Sequence, residues 1–389
     1  MNRKTEDQTR LIEGGRRREW RGRLVNVPVE RASTILFDSV DELQKSRPGL
    51  GQYRYGLQGT ATHWALSEAL TDLEPGAAGT ILFPTGLAAI TAPLLTLLSP
   101  GDELLAPDSV YGPTRKFCDT TLKRLGIGVR YYDPLLGPAI ETLLRPETSA
   151  ILLESPGSLT MEVQDVPGIC AIARERRITT LLDNTWATPL LFRAISAGVD
   201  VAILAGTKYV GGHADLMLGS VTATEPLYEK LQTGAWDLGY AVSPDDAWLA
   251  SRGIRTMALR LKQHQESALR IAHWLKERPQ VGRVLHPALA DCPGHEFWKR
   301  DFKGASGLFS FELKDGDRQK RSAFIDSLEL FGIGYSWGGF ESLVLPADPH
   351  RTVSRAPAGN LVRLHVGLED PEDLIADLSA AFDQAGRSP

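Results

Sequence analysis

One lysine stands where a buried strand is predicted to end. The apolar run at 201–204 is followed by small and hydroxyl residues, then by Lys208 and by glycines at 211 and 212. In open α/β sheets, ligands bind outside the carboxyl ends of the strands, so this position indicates a site. Partial burial disfavours the ammonium form and makes a lysine available as a nucleophile or general base. Taken alone, a solvated lysine is the commoner alternative.

A carboxylate follows the preceding predicted strand. The apolar run at 178–182 ends in Asp183, twenty-five residues before Lys208. That separation holds one crossover helix, at about 189–197, and a return strand, so both strand ends reach the same sheet edge. Pyridoxal phosphate needs an amine for its aldehyde and a carboxylate beside its pyridine nitrogen, and this pair suits it. Taken alone, Asp183 is more often a helix N-cap or a turn residue.

Four further segments offer groups that such a cofactor and an amino-acid substrate require. The predicted strand 81–83 passes through a glycine turn into a helix, which is an anion-binding geometry, and Thr207 offers a hydroxyl to the same phosphate. Tyr111 follows another strand end and suits ring stacking or proton transfer. Arg363, among apolar neighbours, suits a carboxylate, although a structural ion pair is about as common. The 335–339 segment lines the same mouth or forms a tight loop.

The elements around these residues predict an α/β protein. Short apolar strands alternate with helices from 81 to 222, which is typical of a mostly parallel sheet covered on both faces. A long amphipathic helix is predicted at 245–278, followed by alternating segments at 306–313 and 360–367 and a helix at 373–382. The expected organisation is an N-terminal segment (1–50), a cofactor-binding α/β domain (51–243) and a smaller α+β domain (244–389).

Composition narrows the class of function. The 389 residues carry a net charge of −5, which gives no reason to expect nucleic acid or a membrane surface as partner. No run approaches the ~20 apolar residues of a membrane span, so neither secretion nor anchoring is expected. The three cysteines are widely separated and lack metal-site spacing, which favours reduced thiols in the cytoplasm and no metal. A nucleotide-binding dehydrogenase is disfavoured because no GxGxxG follows the first strand.

From about residue 20 onward the sequence resembles the cysteine and methionine metabolism family of pyridoxal-phosphate enzymes, which has the aspartate-aminotransferase-like fold (fold type I). The resemblance is carried by DVAILAGTKYVGGHAD, GTATHWALSEAL, FPTGLAAI, LLDNTWATPLLF, SRGIRT and LVRLHVGLEDPEDLIADL. Within the family, ESPGSLTMEV and YSWGGFESL look most like the bacterial cystathionine β-lyases. Relatives that act at Cγ tend to carry an asparagine after ESP, where this chain has Gly157 and Ser158.

The resemblance implies a role for each matching residue. Lys208 would hold the cofactor covalently and move the Cα proton, while Asp183 would hold the pyridine nitrogen. Tyr111 would stack on the ring and take part in catalysis. The phosphate and substrate positions are Gly86 and Leu87 (amides), Thr207 and Tyr55 for phosphate, with Arg363, Ser336, Trp337 and Tyr55 for substrate. Tyr55 would reach a neighbouring subunit's site, which implies a homo-oligomer, expected as a tetramer built from two dimers. The family usually has an arginine two residues later, where this chain has Leu57.

The reaction implied is β-elimination of L-cystathionine to homocysteine, pyruvate and ammonia. A γ-lyase, a γ-synthase and a cysteine desulfhydrase of the same family are the alternatives. A cofactor-holding regulatory protein is the alternative from a different class.

Overall fold

The computed structural model describes residues 5–314, 317–354 and 360–385. The strands are β1 (Gly79–Phe83), β2 (Glu103–Pro107), β3 (Gly128–Tyr132), β4 (Thr148–Glu154), β5 (Thr179–Asp183), β6 (Val201–Leu204), β7 (Gly219–Ala223), β8 (Val281–Leu285), β9 (Leu308–Leu313), β10 (Gly332–Ile333), β11 (Leu343–Ala347) and β12 (Leu361–His365). The α-helices are α1 (Asp7–Glu13), α2 (Arg18–Arg21), α3 (Val40–Lys45), α4 (Ala61–Thr71), α5 (Gly86–Leu97), α6 (Gly112–Phe117), α7 (Val166–Glu175), α8 (Thr188–Leu191), α9 (Glu225–Asp237), α10 (Pro244–Gly253), α11 (Met257–Lys276), α12 (His295–Asp301), α13 (Arg318–Asp326) and α14 (Pro371–Ala385). No helix in these described ranges is long and apolar enough to cross a membrane.

A large mixed sheet organises the first half of the chain. Its strand order is β1-β7-β6-β5-β4-β2-β3, and every pairing is parallel except the two made by β7. The central strands are continuous apolar runs because helices cover both faces, so alternate side chains on either side are buried. The predicted α/β class with a mostly parallel central sheet is confirmed.

Parallel pairing brings three strand ends to one edge. Asp183, the last residue of β5, lies opposite Ile203 of β6, so the chain leaves β6 toward Lys208 at the same edge. On the other side, Asp183 lies opposite Glu154, the last residue of β4. The βαβ connection inferred from the sequence therefore brings Asp183 and the segment leading to Lys208 to the same sheet edge, as expected.

The crossover between β5 and β6 contains less helix than predicted. Helix α8 covers four residues, and the chain from Phe192 onward is not α-helical. Asn184 donates to the Phe192 carbonyl at 2.8 Å, and the buried Glu74 carboxylate accepts from the amides of Ala194 and Ile195, each at 3.2 Å. These tertiary contacts satisfy backbone groups that a longer helix would have paired internally.

A second sheet, in the order β10-β11-β12-β9-β8, forms the C-terminal part of the molecule. Strand β12 pairs antiparallel with both β11 and β9, and α11 and α14 contribute to the apolar core beside it. The single helix predicted at 245–278 is instead α10, a 3-10 turn at 254–256, and α11. Gly253 lies against the 210–211 backbone, where a Cβ would come within 2.3 Å of the Gly211 carbonyl oxygen.

One buried carboxylate joins the two sheets. Asp108, just after β2, accepts hydrogen bonds from the backbone amides of Thr352, Val353 and Ser354 at 2.8–3.1 Å. It also accepts from the Thr352 and Ser354 hydroxyls and forms an ion pair with Arg115 at 2.7 Å. The segment between β11 and β12 is thus fixed against the carboxyl end of β2. We call this contact the Asp108 clamp.

Three buried histidines predict acid sensitivity of the fold. Burial lowers the pKa of His264 to about 4 and the pKa values of His286 and His365 to about 3. A histidine in the unfolded chain titrates near 6.5. Protonation of the unfolded chain therefore lowers the free energy of unfolding as the pH falls from about 6.5 toward 3, and above about 6.5 the full stability is present. Each histidine contributes a slope of up to about 1.4 kcal/mol per pH unit within that window.

Urea unfolding between pH 7 and pH 5 measures this slope. Buried carboxyl groups such as Glu74, whose pKa burial raises to about 7, act with the opposite sign. The histidine contribution is therefore isolated by comparing His286→Gln with the parent, and we expect a shallower fall for the variant. Parallel curves would contradict the prediction.

Candidate active site

The Lys208 amine lies in a partly buried position at the edge formed by the ends of β5 and β6. Its Nζ donates to the Ser336 hydroxyl at 2.6 Å and lies 5.5 Å from the centre of the Trp337 ring. Burial, and the nearby Arg363 guanidinium, lower the lysine pKa to about 8, whereas Asp183 acts in the opposite direction. Near neutral pH about a tenth of the amine is therefore unprotonated, far more than for an ordinary lysine, and this is the form that acts as a nucleophile or proton acceptor.

The turn at 336–339 holds the Lys208 amine in place. Ser336 has a φ of +87°, a left-handed conformation that is unusual for a residue with a side chain, and its carbonyl accepts from Arg363 Nη2 at 2.9 Å. Gly338 also has a φ of +87°, and a Cβ there would lie 3.0 Å from the Lys208 carbonyl carbon. The turn is thus packed directly on the lysine backbone while its serine contacts the amine.

Asp183 presents a carboxylate to the same space. Its Oδ1 accepts from the amide of Thr185 at 3.0 Å and from the Thr185 hydroxyl at 2.5 Å. Burial raises the pKa of Asp183, while the Thr185 hydrogen bonds and Lys208 oppose the rise. A cationic ring nitrogen beside this carboxylate would compensate the cost of burying its charge.

Glu154 is a second carboxylate at this edge, and sequence reasoning assigned it no role. It lies opposite Asp183 in the β4–β5 register, and its Oε2 accepts from the backbone amide of Tyr111 at 2.8 Å. Burial raises its pKa well above the ordinary value, and the neighbouring Asp183 raises it further. The sequence could have indicated Glu154, because it follows the apolar run at 150–153 just as Asp183 follows the run at 178–182.

Tyr111 lies between β2 and α6 at the mouth of the site and is 43% exposed. Burial raises the pKa of its phenol, with Glu154 and Asp183 adding to the rise and Arg363 opposing it. The tyrosine is therefore within electrostatic range of both carboxylates and the guanidinium. An aromatic ligand could stack on a tyrosine in this partly exposed position.

The start of α5 forms the expected anion-binding geometry. Thr85 caps the helix by accepting from the Ala88 amide at 3.0 Å, and the amides of Gly86 and Leu87 make no hydrogen bond within the described residues. We call residues 205–212, which carry Lys208, the lysine loop. A Cβ on Gly86 would lie 2.4 Å from the Ala205 side chain, so glycine permits this close approach to the lysine loop. The Thr207 hydroxyl already accepts from the Leu218 amide at 2.9 Å and lies 3.1 Å from the Leu218 carbonyl.

Arg363 projects from β12 toward this site. Burial lowers its pKa to about 10, so the guanidinium stays charged at neutral pH. One nitrogen binds the Ser336 carbonyl, whereas its buried Nε makes no hydrogen bond within the described ranges. A buried guanidinium with an unsatisfied donor suits a ligand carboxylate.

The remaining predicted residues lie in different places. The Trp337 ring is half-buried against Tyr209, with ring centres 5.4 Å apart, directly beside Lys208. Tyr55 is 52% exposed and pairs with Thr34 in an isolated β-bridge. In the described part of the chain, Tyr55 makes no side-chain hydrogen bond or ring contact with the groups around Lys208.

These groups fit pyridoxal phosphate. The site offers a partly buried amine with a lowered pKa, a carboxylate at the adjacent strand end and free amides at a helix N-terminus whose glycine lies against the lysine loop. The described residues hold no cluster of histidine, cysteine, aspartate or glutamate side chains suited to a metal ion.

Comparison with known proteins agrees with this geometry. Residues 8–383 match the family described as Cys/Met metabolism PLP-dependent enzyme. The chain is 44% identical to cystathionine beta-lyase MetC of Escherichia coli, across 96% of this chain and 97% of that protein. It is 39% identical to the L-alanine/L-glutamate racemase of Wolbachia pipientis, across 97% of each.

A solved structure extends the similarity to three dimensions. The crystal structure of cystathionine gamma-lyase from Lactobacillus plantarum complexed with L-serine superposes with a TM-score of 0.89 at 30% identity, across 98% of this chain and 100% of that one. The family match spans nearly the whole chain and includes both sheets. The chain therefore belongs to the pyridoxal-phosphate-dependent enzymes of cysteine and methionine metabolism.

Proposed function

We propose that this enzyme cleaves L-cystathionine by β-elimination to homocysteine, pyruvate and ammonia. The observation that carries the proposal is the partly buried Lys208 amine, held by Ser336 at the same sheet edge as Asp183. The similarity to the Escherichia coli enzyme named cystathionine beta-lyase supports this choice of substrate.

Each residue of the site has a proposed part in holding the cofactor. Lys208 would bind its aldehyde and Asp183 its pyridine nitrogen, with Tyr111 against the ring. The Gly86 and Leu87 amides and Thr207 would bind its phosphate. When bound, the cofactor supplies an electron sink for the charge left at the substrate Cα.

The chain's own groups would carry out the proton transfers. Arg363 would bind the substrate α-carboxylate, so the Cα–H bond faces Lys208, and Lys208 Nζ would accept that proton. The electron pair left at Cα would then form a Cα–Cβ double bond as the Cβ–S bond breaks, and the leaving sulfur would take the proton held by Lys208, so that homocysteine departs as a thiol. The remaining three-carbon fragment is released and hydrolyses to pyruvate and ammonia.

Product analysis tests the substrate and the bond that is cleaved. Purified holoenzyme is incubated with L-cystathionine, and both halves of the product are identified. Homocysteine with pyruvate supports the proposal, whereas cysteine with 2-oxobutyrate would assign the chain to γ-cleavage. A comparison with L-cysteine as substrate determines whether desulfhydrase activity is the main one.

A second candidate function is amino-acid racemisation. It is favoured by the Wolbachia pipientis relative named as a racemase and by the lysine pKa of about 8, which leaves both protonation states of Lys208 populated. An amino acid without a leaving group at Cβ would lose its Cα proton and regain one. L-alanine in D₂O tests this directly, because racemisation gives D-alanine that carries deuterium at Cα.

Arg363→Lys should weaken substrate binding more than it slows the reaction. Lysine keeps the positive charge but loses the planar fork, and one charge-assisted hydrogen bond is worth about 1.5–3 kcal/mol. We therefore expect KM to rise roughly tenfold to a hundredfold with a smaller change in kcat. Arg363→Ala should raise KM further. Unchanged KM values in both variants would remove Arg363 from the substrate site.

We further propose a homo-oligomer, assembled as a tetramer from two dimers, in the cytoplasm. The support is an apolar N-terminal stretch that this chain leaves uncovered, including Leu36 at 89% and Val25 at 70% exposure, followed by the exposed Tyr55. Tyr55 would contribute to a neighbouring subunit's site. The free, buried thiols of all three cysteines agree with a reducing compartment.

We also propose that the chain divides functionally at about residues 50 and 243. The large sheet lies within 79–223 and the second sheet within 281–365.

Sedimentation at several protein concentrations, with activity measured alongside, tests the proposed oligomer by showing whether assembly and activity depend on each other.

A further inference from the structure

A buried histidine lies beneath the turn that holds Lys208. His365 is the last residue of β12, two positions after Arg363, so both side chains project from the same face of the strand. Its Nε2 lies 3.0 Å from the Gly338 amide and 3.2 Å from the Gly339 carbonyl. Strand β12 therefore contacts the 336–339 turn through two side chains.

The Gly338 contact defines the state of the imidazole. The Gly338 amide donates to Nε2 at 3.0 Å in a neutral ring with its proton on Nδ1, whereas the Gly339 carbonyl at 3.2 Å would accept from a proton on Nε2; we assign the first tautomer on the shorter contact. In that tautomer the buried Nδ1 makes no hydrogen bond within the described residues. Burial lowers the pKa of His365 to about 3, in agreement with a neutral ring. A proton on Nε2 would remove the acceptor of Gly338.

The groups around His365 explain why it stays neutral. His264 from α11 lies with its ring centre 5.1 Å away, and Tyr209 lies 6.2 Å away. Lys208 and Arg363, the nearby cations, also disfavour a charge on the ring.

The contact reaches the amine in two steps. Gly338 is packed on the Lys208 backbone, and Ser336, two residues earlier, accepts from Lys208 Nζ. The turn includes two residues in left-handed conformations, one of them not glycine, and such conformations persist only where surrounding contacts determine them. His365 supplies one of those contacts through the Gly338 amide, and Arg363 supplies another through the Ser336 carbonyl.

We propose that His365 is a positioning residue for Lys208, acting through its hydrogen bond to Gly338 and through the placement of the Ser336 hydroxyl. The inference rests on the proposed role of Lys208, and it does not depend on which amino acid is cleaved. His365 touches neither substrate nor cofactor in this role.

Two substitutions separate the hydrogen bond from simple packing. His365→Leu fills the space but removes the acceptor, whereas His365→Gln keeps an oxygen or nitrogen at the reach of Nε2. We expect the leucine variant to lose roughly tenfold to a hundredfold in kcat and the glutamine variant to recover most of it. The pH midpoint of the visible absorbance of pyridoxal phosphate bound at Lys208 should shift in the leucine variant only.

His286 provides the matched control. It is also a fully buried neutral histidine that accepts from a backbone amide, that of Ala288 at 3.1 Å, but it packs against Phe309 of β9. His286→Leu and His286→Gln should lower Tm about as much as the corresponding His365 variants do, but they should not move the absorbance midpoint.

The outcomes distinguish this inference from the proposed function. An unchanged midpoint and kcat in His365→Leu, with only a lower Tm, would show a structural role alone and overturn the inference. Equal defects in the leucine and glutamine variants would also overturn it, because the acceptor would not matter. If L-cystathionine is not cleaved, the absorbance midpoint and the dissociation constant of pyridoxal phosphate still test His365. Should His365→Leu fail to fold, the comparison of His365→Gln with His286→Gln decides: a shifted midpoint in the first alone supports the inference, and no difference overturns it.

Discussion

Lys208→Ala is expected to abolish turnover while leaving the fold intact. The amine would be lost both as the covalent attachment point and as the acceptor of the Cα proton, and general base catalysis alone contributes up to about 10⁴-fold. Within the described residues Lys208 makes one side-chain hydrogen bond, to Ser336, so its loss should change Tm little. The measurements are the rate of pyruvate release, the visible absorbance of the bound cofactor and thermal unfolding.

Two controls sharpen the result for Lys208. Lys262→Ala removes an exposed lysine of α11 and should leave all three measurements unchanged. Added methylamine should restore part of the activity of Lys208→Ala, because a free amine can occupy the vacated space. Retained lyase activity without any added amine would exclude Lys208 as the acting base.

Asp183→Asn is expected to lower kcat by roughly 10²- to 10³-fold, the cost of removing one preorganised electrostatic contact. Asparagine keeps the size of the side chain and an oxygen that can accept from the Thr185 amide, so the strand end should be preserved. The negative charge beside the pyridine nitrogen would be lost, and with it the group that favours a protonated ring. The measurements are kcat and the dissociation constant of pyridoxal phosphate.

An exposed aspartate provides the comparison for Asp183. Asp326→Asn, at the end of α13, changes the net charge equally and should leave kcat unchanged. A kcat for Asp183→Asn within a factor of two of the parent would contradict the assignment. A large loss of stability would instead indicate that the carboxylate acts mainly through Thr185.

The parallel sheet and the position of the site at its edge could be predicted from the sequence, because buried parallel strands appear there as short apolar runs. The runs that end before Asp183 and Lys208 became β5 and β6, and the crossover rule brought their ends together. The glycine turn before α5 was likewise predicted from local chemistry. These features depend on residues that are close in the sequence.

Features that depend on distant contacts were missed or wrong. The crossover helix was predicted too long because Glu74, more than a hundred residues earlier in the sequence, binds its backbone. The break in the predicted helix at 245–278 follows from the approach of Gly253 to the lysine loop. The left-handed conformation of Ser336 and its contact with Lys208 also depend on a separate sheet.

The Asp108 clamp has a consequence for how substrate enters. Swinging the 352–354 segment outward would break three amide and two hydroxyl hydrogen bonds to one buried carboxylate. It would also leave the Arg115 ion pair as the main compensation for that charge. We therefore expect the 352–354 segment to stay fixed against the end of β2 while substrate is admitted and product released.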